Sequence, residues 1–86
     1  MARDRIVVGS FGDDGDVRHV ARRLRDAGHE VVLVGGGQSP EQLLRTAVAE
    51  DASRIVVDGD HVDALAHLRE LSAELGDDAP AVGTEV

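Results

Sequence analysis

Short runs of β-branched residues alternate along the chain with stretches whose apolar residues recur every three or four positions. Residues 5–9, 30–34 and 54–57 are typical of strands buried on both faces of a parallel sheet. A fourth strand is expected at residues 79–82, at an edge or a strand start, because Pro80 has no amide hydrogen to donate to a neighbouring strand. The pattern therefore predicts four strands.

The stretches between the strands predict three amphipathic helices, at residues 16–27, 40–50 and 60–75. The second helix has the clearest start, because Ser39 and Gln42 are spaced as a capping box around Pro40. In the third helix an apolar row is expected to face the core: Val62, Leu65, Leu68, Leu71 and Leu75.

The alternation of strands and helices predicts right-handed crossovers and a parallel sheet with helices on both faces. Eighty-six residues are enough for one domain, which we place at residues 1–86. Ligands of such sheets bind beyond the carboxyl ends of the strands. Here those ends carry residues 10–15, 35–39 and 58–61, and the segment from Gly83 onward.

Composition excludes several kinds of chemistry. The chain has no cysteine, and all nine basic residues are arginine, so thiolate sites, lysine Schiff bases and phosphate-binding lysines are absent. The net charge of −8 argues against a nucleic-acid partner, because phosphate contacts need a basic surface. No apolar run approaches the roughly 20 residues of a membrane span, and no signal peptide is evident, so we expect a cytoplasmic protein without a membrane partner.

The first loop, residues 9–16, is rich in glycine and aspartate but lacks the G-x-G-x-x-G spacing of a dinucleotide site. Asp13 and Asp14 together with Asp58 suggest a phosphate-accepting receiver, yet no lysine is present to pair with a phosphoryl group. The simpler interpretation is a solvated loop in which an aspartate caps the first helix, and a polar loop and helix cap at residues 58–61.

Three segments resemble a known family. Residues 12–16 read GDDGD, residues 24–31 LRDAGHEV and residues 35–42 GGGQSPEQ. They are similar to the G-x-D-G-H, L-R-D-A-G-F-E-V and G-L-R-Q-T-P-E-Q segments of the cobalamin-binding domain of the methylmalonyl-CoA mutase family. Helix capping alone would not require Gln38 and Glu41. The resemblance extends to about Gly83 and implies a flavodoxin-like three-layer sandwich, with parallel strands in the order 2-1-3-4.

The resemblance also implies a cofactor site. In each of the family's three cofactor-binding motifs, however, this chain departs from the family's residue pattern. In the family's D-x-H-x-x-G motif the aspartate corresponds to Asp14, but the cobalt-binding histidine corresponds to Asp16 and the glycine to His19. The serine and leucine of the second motif are missing from residues 58–61, and the third motif's glycine pair survives only as Gly83. The cofactor-binding residues implied are Gly12, Asp14, Gly15, Asp16, His19, Asp58, Gly59 and Gly83; no catalytic residue or metal ligand is assigned.

We therefore expect a cobalamin-binding-type module that is not a complete enzyme and presents a corrinoid to the catalytic subunit of a cobalamin-dependent mutase. The alternative is a relative that has lost the cofactor and serves as an interaction or assembly subunit. Any cobalamin should bind weakly and without a histidine on cobalt. The family's domain continues into a fifth strand and a last helix, so the fourth strand's edge is expected to recruit a second copy or a larger subunit.

Overall fold

The computed structural model describes residues 4–84. In this part of the chain strands and helices alternate, in the order β1 Arg5–Ser10, α1 Val17–Asp26, β2 Glu30–Gly35, α2 Pro40–Ala49, β3 Arg54–Asp58, α3 Val62–Ala73, a short 3-10 turn Gly76–Asp78, and β4 Ala81–Thr84. Every predicted strand and helix is present, with boundaries that differ from the expected ones by about two residues.

The four strands form one parallel sheet in the order β2-β1-β3-β4, as predicted. At its centre Val7 of β1 pairs with Val32 of β2 on one side and with Ile55 of β3 on the other. The apolar runs of β1 and β3 are explained by this position, because an inner strand of such a sheet is covered on both faces. The fold is an α/β flavodoxin-like sandwich of small size.

Alternate residues of β1 enter two separate hydrophobic clusters. Ile6 and Val8 pack beneath α1, together with Val17, Val20, Ala21 and Val56. Val7 points to the opposite face, where α2 and α3 supply Leu43, Ala47 and Leu68 alongside Ile55 and Val57 of β3. One helix therefore covers one face of the sheet and two helices cover the other, with all of these residues at most 2% exposed.

The capping box at the start of α2 is confirmed. The Ser39 hydroxyl accepts a hydrogen bond of 3.0 Å from the Gln42 amide, and the Gln42 side-chain oxygen accepts one of 2.8 Å from the Ser39 amide. The expectation that an aspartate caps α1 is wrong. Asp16 occupies that N-cap position without a side-chain bond, because its ψ of 10° differs from the extended ψ of 161° that directs the Ser39 hydroxyl at the helix.

The apolar row predicted for α3 is buried only in the middle of the helix. Leu68 is fully buried, whereas Val62 is 73% exposed at the first residue of the helix and Leu75 is 42% exposed beyond its last residue. His61, at the N-cap of α3, likewise forms no side-chain cap bond. Within residues 4–84, no helix has the length and apolar character needed to cross a bilayer.

Replacing Ser39 with alanine should lower the free energy of unfolding by about 1 kcal/mol, because the Gln42 amide at the start of α2 loses the hydroxyl oxygen that accepts its hydrogen bond. Urea denaturation followed by circular dichroism measures the change. The matched control is Ser53→Ala, whose hydroxyl makes only a 3.4 Å bond to the Arg5 carbonyl and which should cost less than about 0.5 kcal/mol. Equal losses in the two variants would contradict the role given to the cap.

Candidate functional site

The residues that the resemblance implies as a cofactor site lie mostly along one edge of the sheet. Gly12, Asp14, Gly15 and Asp16 belong to the loop between β1 and α1. Asp58 ends β3, Gly59 follows it, and Gly83 lies within β4. His19 is the exception, because it is the third residue of α1 and is exposed. The parallel topology explains the convergence, since all the carboxyl ends of the strands meet at this edge.

The loop after β1 packs directly on the loop after β2. The Asp14 carboxylate accepts a hydrogen bond of 2.6 Å from the Gly36 amide, and the Gly37 amide donates one of 2.6 Å to the Gly12 carbonyl. The first bond places a carboxylate charge against a backbone N–H, which strengthens it relative to a bond between neutral groups. Asp14 is thus a structural tether between the first two loops of this edge.

Gly36 makes this approach possible. A Cβ at this position would lie 2.6 Å from the carbonyl carbon of Asp13 and 2.7 Å from the oxygens of Asp13 and Gly12. These are backbone atoms, so no side-chain rotation could relieve the clash. The sequence pattern places residues 35–39 at a carboxyl end of the sheet but does not predict this contact. The signal for it was three consecutive glycines opposite a second glycine-rich loop.

Asp58 holds the other side of the first loop. Its carboxylate accepts a 3.3 Å hydrogen bond from the Asp16 amide, which lies at the N-terminal end of α1. A carboxylate at a helix N-terminus is favourable because the first amides of a helix have no partner within it. The Asp16 side chain is exposed. At the position where the family has its histidine, this chain therefore contributes the Asp16 backbone amide to a loop contact, and the Asp16 side chain takes no part in that contact.

His61 fills the space between the loops after β1 and β3. Its ring meets Phe11 edge-on, with centroids 6.1 Å apart and planes at 82°. A Cβ on Gly12 would lie 2.8 Å from the His61 Nε2, and one on Gly59 would lie 3.2 Å from its Cδ2. The sequence pattern predicts only a polar loop and helix cap around His61 and does not reveal this pair. The chain's one aromatic residue, Phe11, and this histidine nevertheless follow the paired ends of β1 and β3.

These residues do not fit a corrinoid bound through a protein histidine. The chain offers a carboxylate, Asp16, where the family places the imidazole, and Asp14 bonds the Gly36 amide instead of orienting a histidine. The His61 ring occupies the space beside Gly12 and Gly59. Of the four glycines that the resemblance implies as cofactor-binding, Gly83 is the one where an added Cβ would meet open space. Within the described residues, no group of three or more histidine, aspartate or glutamate side chains could hold a metal ion.

Comparison with known proteins gives a partial relationship. No family model matches the chain. The chain is 48% identical over 44 residues to the 2-hydroxyisobutanoyl-CoA mutase small subunit of Aquincola tertiaricarbonis. The match covers 51% of this chain and 32% of that subunit, so the chain corresponds to about a third of its relative's length. Part of the chain is therefore similar to part of a mutase small subunit.

Replacing Gly36 with alanine should separate the first two loops and lower the free energy of unfolding by about 1–3 kcal/mol, because its Cβ has no space among backbone atoms. Hydrogen exchange of the Gln38 amide, which bonds the Ser10 carbonyl at 3.0 Å, should also accelerate. The control is Gly37→Ala, which meets open space and bears only the strain of its φ of 67°. Unchanged Gln38 exchange in Gly36→Ala would contradict the loop contact.

Proposed function

We propose that this chain is a cobalamin-binding-type small subunit, not catalytic alone, that presents its carboxyl edge to a larger catalytic subunit. The observation that carries the proposal is the meeting of Gly12, Asp14, Asp16 and Asp58 at one edge of a 2-1-3-4 sheet, at the positions that the family resemblance assigns to a cofactor. Similarity over 44 residues to a mutase small subunit also supports it.

The chain's own residues hold together the glycine-rich loops at the carboxyl edge, and we call this group of loops the platform. Asp14 ties the first loop to the second and Asp58 ties it to β3, so the platform is formed before any ligand arrives. Preorganisation of this kind lowers the entropic cost of binding. Because the edge offers no fitting imidazole, we propose that a corrinoid resting on it keeps its own base on cobalt and binds weakly.

A second candidate function is an assembly subunit that has lost the cofactor. The close backbone packing at Gly36 and the filling of the edge by His61 favour it, because both occupy space at the edge where the family's cofactor lies. In this case the fold is retained for its surfaces. The two candidates differ in one measurable property, which is whether a corrinoid binds at all.

Equilibrium dialysis against aquacobalamin measures binding, and the visible spectrum of the retained cofactor reports its axial ligand. We expect weak binding with an unchanged, base-on spectrum. Asp16→His alone should not give tight binding, because Asp14 already bonds the Gly36 amide and His61 still fills the edge. Absence of binding would favour the assembly subunit. A base-off spectrum that is abolished by His19→Ala would contradict the assembly subunit and the base-on binding mode, and would make His19 the ligand.

Self-association is a separate prediction. Within residues 4–84 the sheet has two unpaired edges, β2 and β4, and β2 carries four half-buried apolar residues in succession, Val31 to Val34. An apolar edge strand can pair with another chain. Multi-angle light scattering over a wide concentration range measures the mass. A mass that rises with concentration is expected if the edge recruits a second copy; a constant monomer mass would contradict self-association and leave the larger subunit as partner.

A further inference from the structure

A second surface, on the outer side of α2 and α3, carries an apolar groove. The groove holds a void of about 420 Å³, and its lining residues are Glu41, Leu44, Arg45, Val48, Ala49, Leu71 and Leu75. Val48 is 59% exposed and Leu75 is 42% exposed. The other exposed large apolar side chain among the described residues, Val62, does not line this groove.

The groove continues past the end of α2. A neighbouring depression of about 480 Å³ shares Val48 and Leu75 with it and extends to Asp51, Asp78 and Pro80. The ten residues of α2 alone span about 15 Å at 1.5 Å per residue. The groove is almost entirely apolar, whereas the neighbouring depression has polar and apolar surface in about equal amounts. The apolar part around Val48 and Leu75 lacks the convergent polar groups that orient a small molecule. It suits the apolar row of a helical segment.

The ends of the groove are acidic. At one end the Glu41 carboxylate lies 3.1 Å from the His67 Nε2, and Glu70 lies 4.0 Å from the other ring nitrogen. Hydrogen bonds from its own backbone amide and from His67 lower the pKa of the Glu41 carboxyl, which keeps it ionised. Asp51 and Asp78 line the other end. Among residues 4–84, Arg45 is the one basic residue that lines either depression.

A second copy of the chain does not complement this groove. Two copies meeting groove to groove would bring acidic ends against acidic ends, which is repulsive. The basic helix α1 could supply the opposite charge, because it carries four of the nine arginines of the chain. Its outward residues, however, are exposed and polar and offer no apolar side chain for the trough: Arg18, His19, Arg22, Arg25 and Asp26.

We propose that the groove between α2 and α3 binds an amphipathic, basic helix of a partner protein. The apolar row of that helix would lie against Val48 and Leu75, with arginine or lysine residues near Glu41 at one end and Asp78 at the other. Helices that dock in grooves use residues spaced i, i+3 or i+4, and i+7. Val48 lies in the last turn of α2 and Leu75 just beyond the end of α3, so only the Glu41 end of the groove approaches the carboxyl edge. The inference does not depend on corrinoid binding.

Two synthetic 18-residue peptides test the proposal by fluorescence anisotropy with the whole chain. They share one leucine row at helical spacing and carry either lysine or glutamate at every flanking position. We expect the lysine peptide to bind, and the glutamate peptide to bind at least about tenfold more weakly. Val48→Asp should weaken the lysine peptide by about tenfold or more, because it places a charge in the apolar trough.

The matched control is Val62→Asp, which adds the same charge at an exposed valine outside the groove and should leave affinity unchanged within about twofold. Circular dichroism confirms that both variants fold. If binding depended only on general attraction between opposite charges, both variants would bind the lysine peptide at least as well as the parent chain does. That result would overturn the proposal. A dimer of the parent chain that Val48→Asp dissociates would also overturn it, because a second copy would then occupy the groove.

Discussion

The contact between the first two loops at the carboxyl edge determines what this edge can do. Gly36 lies so close to the backbone of Asp13 that only a hydrogen atom fits in place of a side chain, and the Asp14 carboxylate closes the contact from the other side. Because β1 and β2 are neighbours in the sheet, their loops leave it side by side. The aspartate that would orient a metal-bound histidine in the family is here used to hold two loops together.

The parts of the structure that could be predicted from the sequence are those set by neighbouring residues. The strands follow from β-branched runs, and the start of α2 follows from Ser39 and Gln42, which are three positions apart. The contacts that were missed join distant parts of the chain. Asp14 and Gly36 are 22 residues apart, and Asp16 and Asp58 are 42 residues apart. Asp16 does not cap α1 because of its backbone ψ angle, and the identity of the residue does not determine that angle.

Val62 and Leu75 illustrate the same limit within one helix. Both continue the apolar spacing of α3, yet neither is buried, because the row extends past the part of the helix that covers the sheet. The consequence differs at the two ends. Val62 lies outside the groove, whereas Leu75 joins Val48 in lining the groove between α2 and α3. The chain thus offers two surfaces, a polar edge with glycine-rich loops and an apolar trough with acidic ends.

The axial ligand of cobalt is tested most directly by electron paramagnetic resonance of unlabelled cob(II)alamin mixed with the ¹⁵N-labelled protein. The nitrogen bonded to cobalt splits the signal according to its nuclear spin, so its isotope identifies its source. With Asp16 at the family's histidine position, the signal should retain the triplet splitting of the cofactor's own ¹⁴N base. A doublet from a ¹⁵N imidazole of the protein would contradict the absence of a histidine ligand at this edge.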